Sequence, residues 1–272
     1  MKANEDEAWA LVRRYMFPGK DDPISFYERK RWAMLFSEML GSSHRVVVEI
    51  GSGWGLGTRC MSNASGVDMA VGVDADAAVI VDTDASGREP DFVQADVEGT
   101  LPFRAQSVDC MIAPEVYEHF YHPERFFQEA HRVLRKGGRL ILTTPNTESV
   151  ALMVLRRLPR RWAQDLLTRE GETKRYLHPE FFGDLSDGGP HGHRVEGASV
   201  REMQALAGRY GFRQVRGTTW GLPFAGDSWR RVPRPAREFV LGRFHALGVG
   251  LRHIFVVWVR EDAPSSRSVS DA

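Results

Sequence analysis

The chain has 272 residues, 42% of them hydrophobic, with 36 Lys plus Arg balancing 36 Asp plus Glu. That length fits one large α/β domain with additions or two small ones, and the zero net charge lacks the basic excess expected of a nucleic-acid or anionic-membrane partner. Cys60 and Cys110 are too few for a disulfide framework or a structural zinc site. The opening MKANEDEAWA has no apolar core for a signal peptide, and no apolar run nears the ~20 residues that span a bilayer. The expectation is a cytoplasmic protein without a membrane partner.

Residues 1–40 have a helical pattern in two pieces. Trp9, Val12, Tyr15 and Met16 recur at helical spacing, as do Trp32, Leu35, Phe36 and Met39. Pro18-Gly19 and Asp22-Pro23 separate the two pieces, and Gly41 stops the second.

Arg45 to Thr58 reads RVVVEIGSGWGLGT. Val46, Val47, Val48 and Ile50 are the β-branched run of a buried strand. Glycines at 51, 53, 55 and 57 then let the backbone approach a ligand as a helix begins. A dinucleotide fingerprint requires G-x-G-x-x-G, but the third slot falls on Leu56 or Thr58. The pattern is instead E-x-G-x-G-x-G, with Glu49 inside the end of the strand.

Met69 to Val73 predicts a second strand ending at Asp74, placed to accept hydrogen bonds from ribose hydroxyls. Asp76, Asp82 and Asp84 read as caps or solvent-facing groups around a short helix near 76–83. A third strand, 91–95, ends at Asp96, which either caps the next turn or contacts a ligand. Glu49, Asp74 and Asp96 therefore close three successive strands on one sheet edge, where open α/β sheets bind ligands. Leu101-Pro102-Phe103 forms a loop, 107–113 a fourth strand, and Pro114 to Phe120 (PEVYEHF) leaves its tip. Pro123 opens a helix with Phe126, Phe127, Ala130, Val133 and Leu134 on one face. Lys136-Gly137-Gly138 is read as its end, before a fifth strand over 139–144.

The glycine motif resembles the first motif of the Rossmann-like S-adenosylmethionine (SAM) methyltransferases. LPF, SVDCMIAPEVYEHF and RVLRKGGRLILTTPN are similar to the small-molecule group that includes the quinone-pathway enzymes. The resemblance extends from about 45 to 147. It implies an α/β, Rossmann-like seven-stranded sheet with an antiparallel last strand and helices on both faces. It also implies S-adenosyl-L-methionine as cofactor. Glu49 would suit its positively charged end, and Gly51, Gly53 and Gly55 would line its loop. Asp74 and Ala75 would meet the ribose, Asp96 and Val97 the adenine, and Ala113 the methionine backbone. The short interval from Asp74 to Asp96 departs from the pattern and leaves the ribose wall open. The 1–40 extension is then either packing or a lid, with Tyr15 and Tyr27 as substrate candidates.

Residues 148–198 read as an insertion. Arg156-Arg157 and Arg160-Arg161 flank a proline and read as a solvated face ahead of an anion site. His191 and His193 lack a completing Cys or carboxylate, so no metal is expected; they are substrate candidates. Ser199 and Glu202 form a capping box for a helix through Tyr210. A sixth strand covers 212–220, with Trp220 a further substrate candidate. The 221–251 connection is long enough to mark a lid or interface. A last strand reads HIFVVWV, and 261–272 is a polar tail.

Methyl transfer needs an aligned acceptor, excluded water and, for a hydroxyl or protonated amine, a base. His119 is the first candidate, because the ordinary histidine pKa suits neutral pH, although it also reads as a packing residue. Glu115 and Tyr117 are positioning candidates. The expected function is methylation of O or N, or C, on a small ring-containing acceptor in natural product biosynthesis. The alternatives are an NAD oxidoreductase, a nucleic-acid or protein methyltransferase, and a non-catalytic SAM-fold partner. The oligomeric state is open.

Overall fold

The computed structural model describes residues 5–15, 26–76, 88–146, 199–220 and 253–262, with isolated residues 233 and 236. Its strands are β1 (Val46–Ile50), β2 (Met69–Asp74), β3 (Asp91–Gln94), β4 (Val108–Pro114), β5 (Leu134–Pro145), β6 (Phe212–Trp220) and β7 (His253–Arg260). They form one seven-stranded sheet in the order β3-β2-β1-β4-β5-β7-β6. β1 to β5 pair in parallel, and β7 runs antiparallel between β5 and β6. The expected α/β class and antiparallel last strand are present.

The helices are α1 (Glu5–Tyr15), α2 (Phe26–Leu40), α3 (Leu56–Ser62), α4 (Pro123–Val133) and α5 (Val200–Arg209). Strand alternation divides the core in two. Val48, Ile50, Met111, Leu140 and Trp258 join Phe126 and Phe127 of α4 and Met203 of α5 on one face. Val47, Cys110, Ile141 and Val257 join Ala8, Val12, Leu35, Phe36 and Met61 of the N-terminal helices and α3 on the other. The aromatic pattern of residues 1–40 is thus core-facing in α1 and α2. Both cysteines are buried and free.

Two boundaries move. α4 ends at Val133, not at the glycine pair, and Leu134 already pairs with Val108. Gly137, at φ +77°, marks an irregularity inside β5, where the register shifts between Val108 and Cys110. In β6 the register against β7 slips between Gln214 and Arg216. The Ser199 cap is as expected, its side chain accepting from the Glu202 N–H at 3.0 Å.

α2 is clamped to the sheet by a buried acid. Glu38 is 2% exposed and accepts from Arg139 Nη1 at 3.0 Å and Arg216 Nη1 at 2.5 Å. No described helix is long and apolar enough to cross a membrane. The short helix at 76–83, the insertion at 148–198, the 221–251 connection and the tail beyond 262 lie wholly or mainly outside the described residues.

Candidate active site

The parallel sheet reverses its strand order between β1 and β4, and that switch point opens a crevice at the strands' carboxyl ends. The loop from β1 enters it. Gly51, Gly53 and Gly55 have φ of +68°, +48° and +71°, a region that costs side-chain-bearing residues strain. Gly51 and Ser52 donate their N–H groups to Val73 O at 2.8 and 3.1 Å, tying the loop to β2. A Cβ at Gly51 would strike Val116 at 2.7 Å, whereas one at Gly53 would meet nothing within 4 Å. The loop is therefore pressed against the β4 exit on one side and open at its tip. Trp54, between two of these glycines, is 65% exposed.

Asp74 ends β2 and accepts from the Gly53 N–H at 2.8 Å and the Asp76 N–H at 3.0 Å. Each carboxylate oxygen thus has one described bond and a further lone pair to offer. Ala75 is exposed beside it, its carbonyl accepting from Gln94 Nε2 at 3.1 Å. Asp96 is exposed after β3 and accepts from the Glu98 N–H at 2.9 Å, so it does cap the following turn. Val97 is half-buried against the core. Ala113 is fully buried near the tip of β4. The structure thus brings the three strand-end acids to one edge.

Glu49 is placed differently from its neighbours. It is 2% exposed, beneath α3, and accepts from Thr58 Oγ1 at 2.5 Å. Gly57 has no side chain because a Cβ there would fall on the Glu49 carboxyl. Burial pushes the Glu49 pKa up to about 8, against the opposing bonds from Thr58.

The segment from Pro114 to His122 forms the other wall. The Glu115 N–H bonds to Thr143 O at 2.9 Å, and Glu115 holds a φ of +51°. At the far end the His122 N–H meets the Glu98 carboxylate. The segment therefore crosses the edge from the tip of β5, past the glycine loop, to the turn after β3. His119 is half-buried in the 3₁₀ turn Tyr117–His119. Tyr117 packs at 5.8 Å from Phe120 and 6.3 Å from Phe127. Burial, with Glu202 and Glu124, pushes its phenol up to about 12. Its geometry is that of a core residue.

Sequence reasoning passed over Glu118. This carboxyl is 2% exposed and accepts from Thr144 Oγ1 at 2.9 Å. Burial and then Glu115 raise its pKa to about 8. In the string EVYEH the spacing does not reveal the burial of Glu118, which the 3₁₀ turn sets. Among the substrate candidates, Tyr15 is half-buried against the α1–α2 core, with the Arg14 guanidinium 5.2 Å from its ring. Tyr27 lies in α2, and Trp220 ends β6 in register with His253. His191 and His193 lie outside the described residues.

Three observations at this edge suit a ligand with the polar groups of SAM. The left-handed glycine loop is open at Gly53. Asp74 retains acceptor capacity. Ser52 Oγ is buried and without a described hydrogen-bond partner.

Comparison with known proteins points the same way. Residues 48–142 match the family model described as a methyltransferase domain. A protein of Mycolicibacterium smegmatis described as a probable SAM-dependent methyltransferase is 31% identical over 102 residues, 38% of each chain. One of Mycobacterium tuberculosis with that description is 28% identical over 187 residues, 67% of this chain and 65% of that one. The chain thus spans less than two thirds of these relatives' length. Among solved structures, phosphoethanolamine N-methyltransferase 2 of Haemonchus contortus, in complex with SAM, has a TM-score of 0.54 at 12% identity, covering 94% of this chain and 57% of that one. A SAM-dependent methyltransferase of Mesorhizobium loti has a TM-score of 0.50 at 15% identity, covering 85% and 97%. The fold is the Rossmann-like methyltransferase fold.

Proposed function

We propose, from the match of residues 48–142 to the methyltransferase domain model, that the whole protein transfers a methyl group from SAM to a small acceptor. The observation that carries this reading is the left-handed glycine loop at the β1/β4 switch point, tied through Gly53 to the Asp74 carboxylate. SAM supplies an activated methyl group, so the chain's own work is binding, alignment and exclusion of water.

Glycine-loop backbone and Ser52 would hold the methionine end, Asp74 and Ala75 the ribose, and Asp96 with the Val97 N–H the adenine. Ala113 would lie beneath the methionine backbone. The acceptor would stand over the Pro114–His122 wall, where His119 is the proposed base and Glu115 and Tyr117 position that wall. The aromatic residues of the flanking segments, Trp9, Tyr15, Tyr27, Trp32 and Trp220, support a ring-containing acceptor from a specialised biosynthetic pathway, methylated on O, N or C. Tyr15, Tyr27, His191, His193 and Trp220 are its proposed contacts from the flanking segments. The balanced charge favours this over a nucleic-acid substrate.

Calorimetry with S-adenosylhomocysteine and NADH tests the cofactor. Homocysteine-adduct binding that weakens in Asp74→Ala, with no NADH signal, is the expected result; NADH binding alone would sink the reading. With an acceptor found by screening small phenols and amines, His119→Ala should lower kcat by roughly 10²–10⁴ without changing adduct affinity. Full turnover in that variant would remove His119 as base.

A further inference from the structure

Glu49 is anomalous for a residue expected to offset a cation. A carboxylate removed from water is stable only with a cationic partner or a full set of hydrogen bonds; otherwise it keeps its proton. Among the described residues, its hydrogen bonds come from Thr58 alone. The charged and titratable groups that reach it are Asp74 of β2, which disfavours ionisation, Arg31 of α2, which favours it, and the buried thiol Cys60 of α3. Gly57 packs so closely on the helix side that even a Cβ there would strike the carboxyl.

We infer that Glu49 discriminates the sulfonium cofactor from its neutral thioether product by giving up a proton when the cofactor binds. The inference rests on the SAM reading of this site. In the free protein the carboxyl is protonated at neutral pH, in keeping with its raised pKa. A sulfonium arriving at the glycine loop adds positive charge to the small contribution of Arg31. The O–H bond breaks, the proton leaves to bulk buffer, and the carboxylate remains as counter-charge. The product carries the same ammonium and carboxylate but no sulfonium. On its formation Glu49 recovers a proton from solvent and the electrostatic hold on the ligand is lost.

The test is calorimetry of SAM and of S-adenosylhomocysteine on the full chain at pH 7, in buffers of different ionisation enthalpy, which counts protons exchanged. SAM should release between about half and one more proton than the thioether does. The ratio of SAM to thioether affinity should rise by up to about tenfold per pH unit between pH 6 and 7 and flatten above about 8. Glu49→Gln should erase both differences. Thr58→Val, which removes one bond that favours the ionised form, should move the flattening to higher pH and keeps the test open if the first variant does not fold. Equal proton counts for the two ligands in the wild type would overturn the inference while leaving the methyltransferase reading intact. Binding of neither ligand would overturn both.

Discussion

Two buried carboxyls, Glu49 and Glu118, share one physical environment. Glu49 and Glu118 each keep a single hydroxyl donor from a threonine side chain, and burial lifts both pKa values to about 8. The sign for stability follows from proton counting. Unfolded, each loses its proton near the ordinary carboxylate value; folded, each holds it to about pH 8. The native state therefore binds more protons between those limits, and stability falls as pH rises through that window. Urea denaturation of the ligand-free protein should give a lower midpoint at pH 8 than at pH 5.5, with a slope on the order of 1 kcal/mol per pH unit for each carboxyl. Glu118→Gln should flatten part of that slope; an unchanged slope would show that Glu118 ionises freely. The position of Glu49 at the end of β1 was legible in the sequence because its motif is local. Glu118 was not, because facing inward from a 3₁₀ turn depends on Thr144, 26 residues away.

At the scale of elements, the same contrast recurs. Short-range signals gave β1, the Ser199 cap and the amphipathic α1 and α2. The start of β5 was missed, since Lys136-Gly137-Gly138 has every local mark of a helix end, and only the pairing of Leu134 with Val108 reveals extended chain there. Likewise, the aromatic spacing in residues 26–40 marks a buried face but says nothing of Glu38. That residue joins α2 to β5 and β6 through Arg139 and Arg216, at sequence separations of 101 and 178. Glu38→Ala strands two arginines that are 22% and 35% exposed. Their partial access to water puts the expected loss near the low end for a broken buried pair, about 3 kcal/mol by urea denaturation. A loss within about 0.5 kcal/mol of zero would mean that apolar packing alone seats α2.

For the whole molecule, strand order places three acid-tipped strands side by side and leaves one further sheet edge at β6. That edge carries the slip between Gln214 and Arg216, with Val215 44% exposed at the irregularity. A regular outer strand is a template on which another chain can continue the ladder. Here one surplus residue breaks the regular ladder of β6, and arginines stand on either side of it at 213 and 216. Among the described residues, the bulge thus makes this margin a poorer template for amyloid-like stacking or strand addition than a regular outer strand would be.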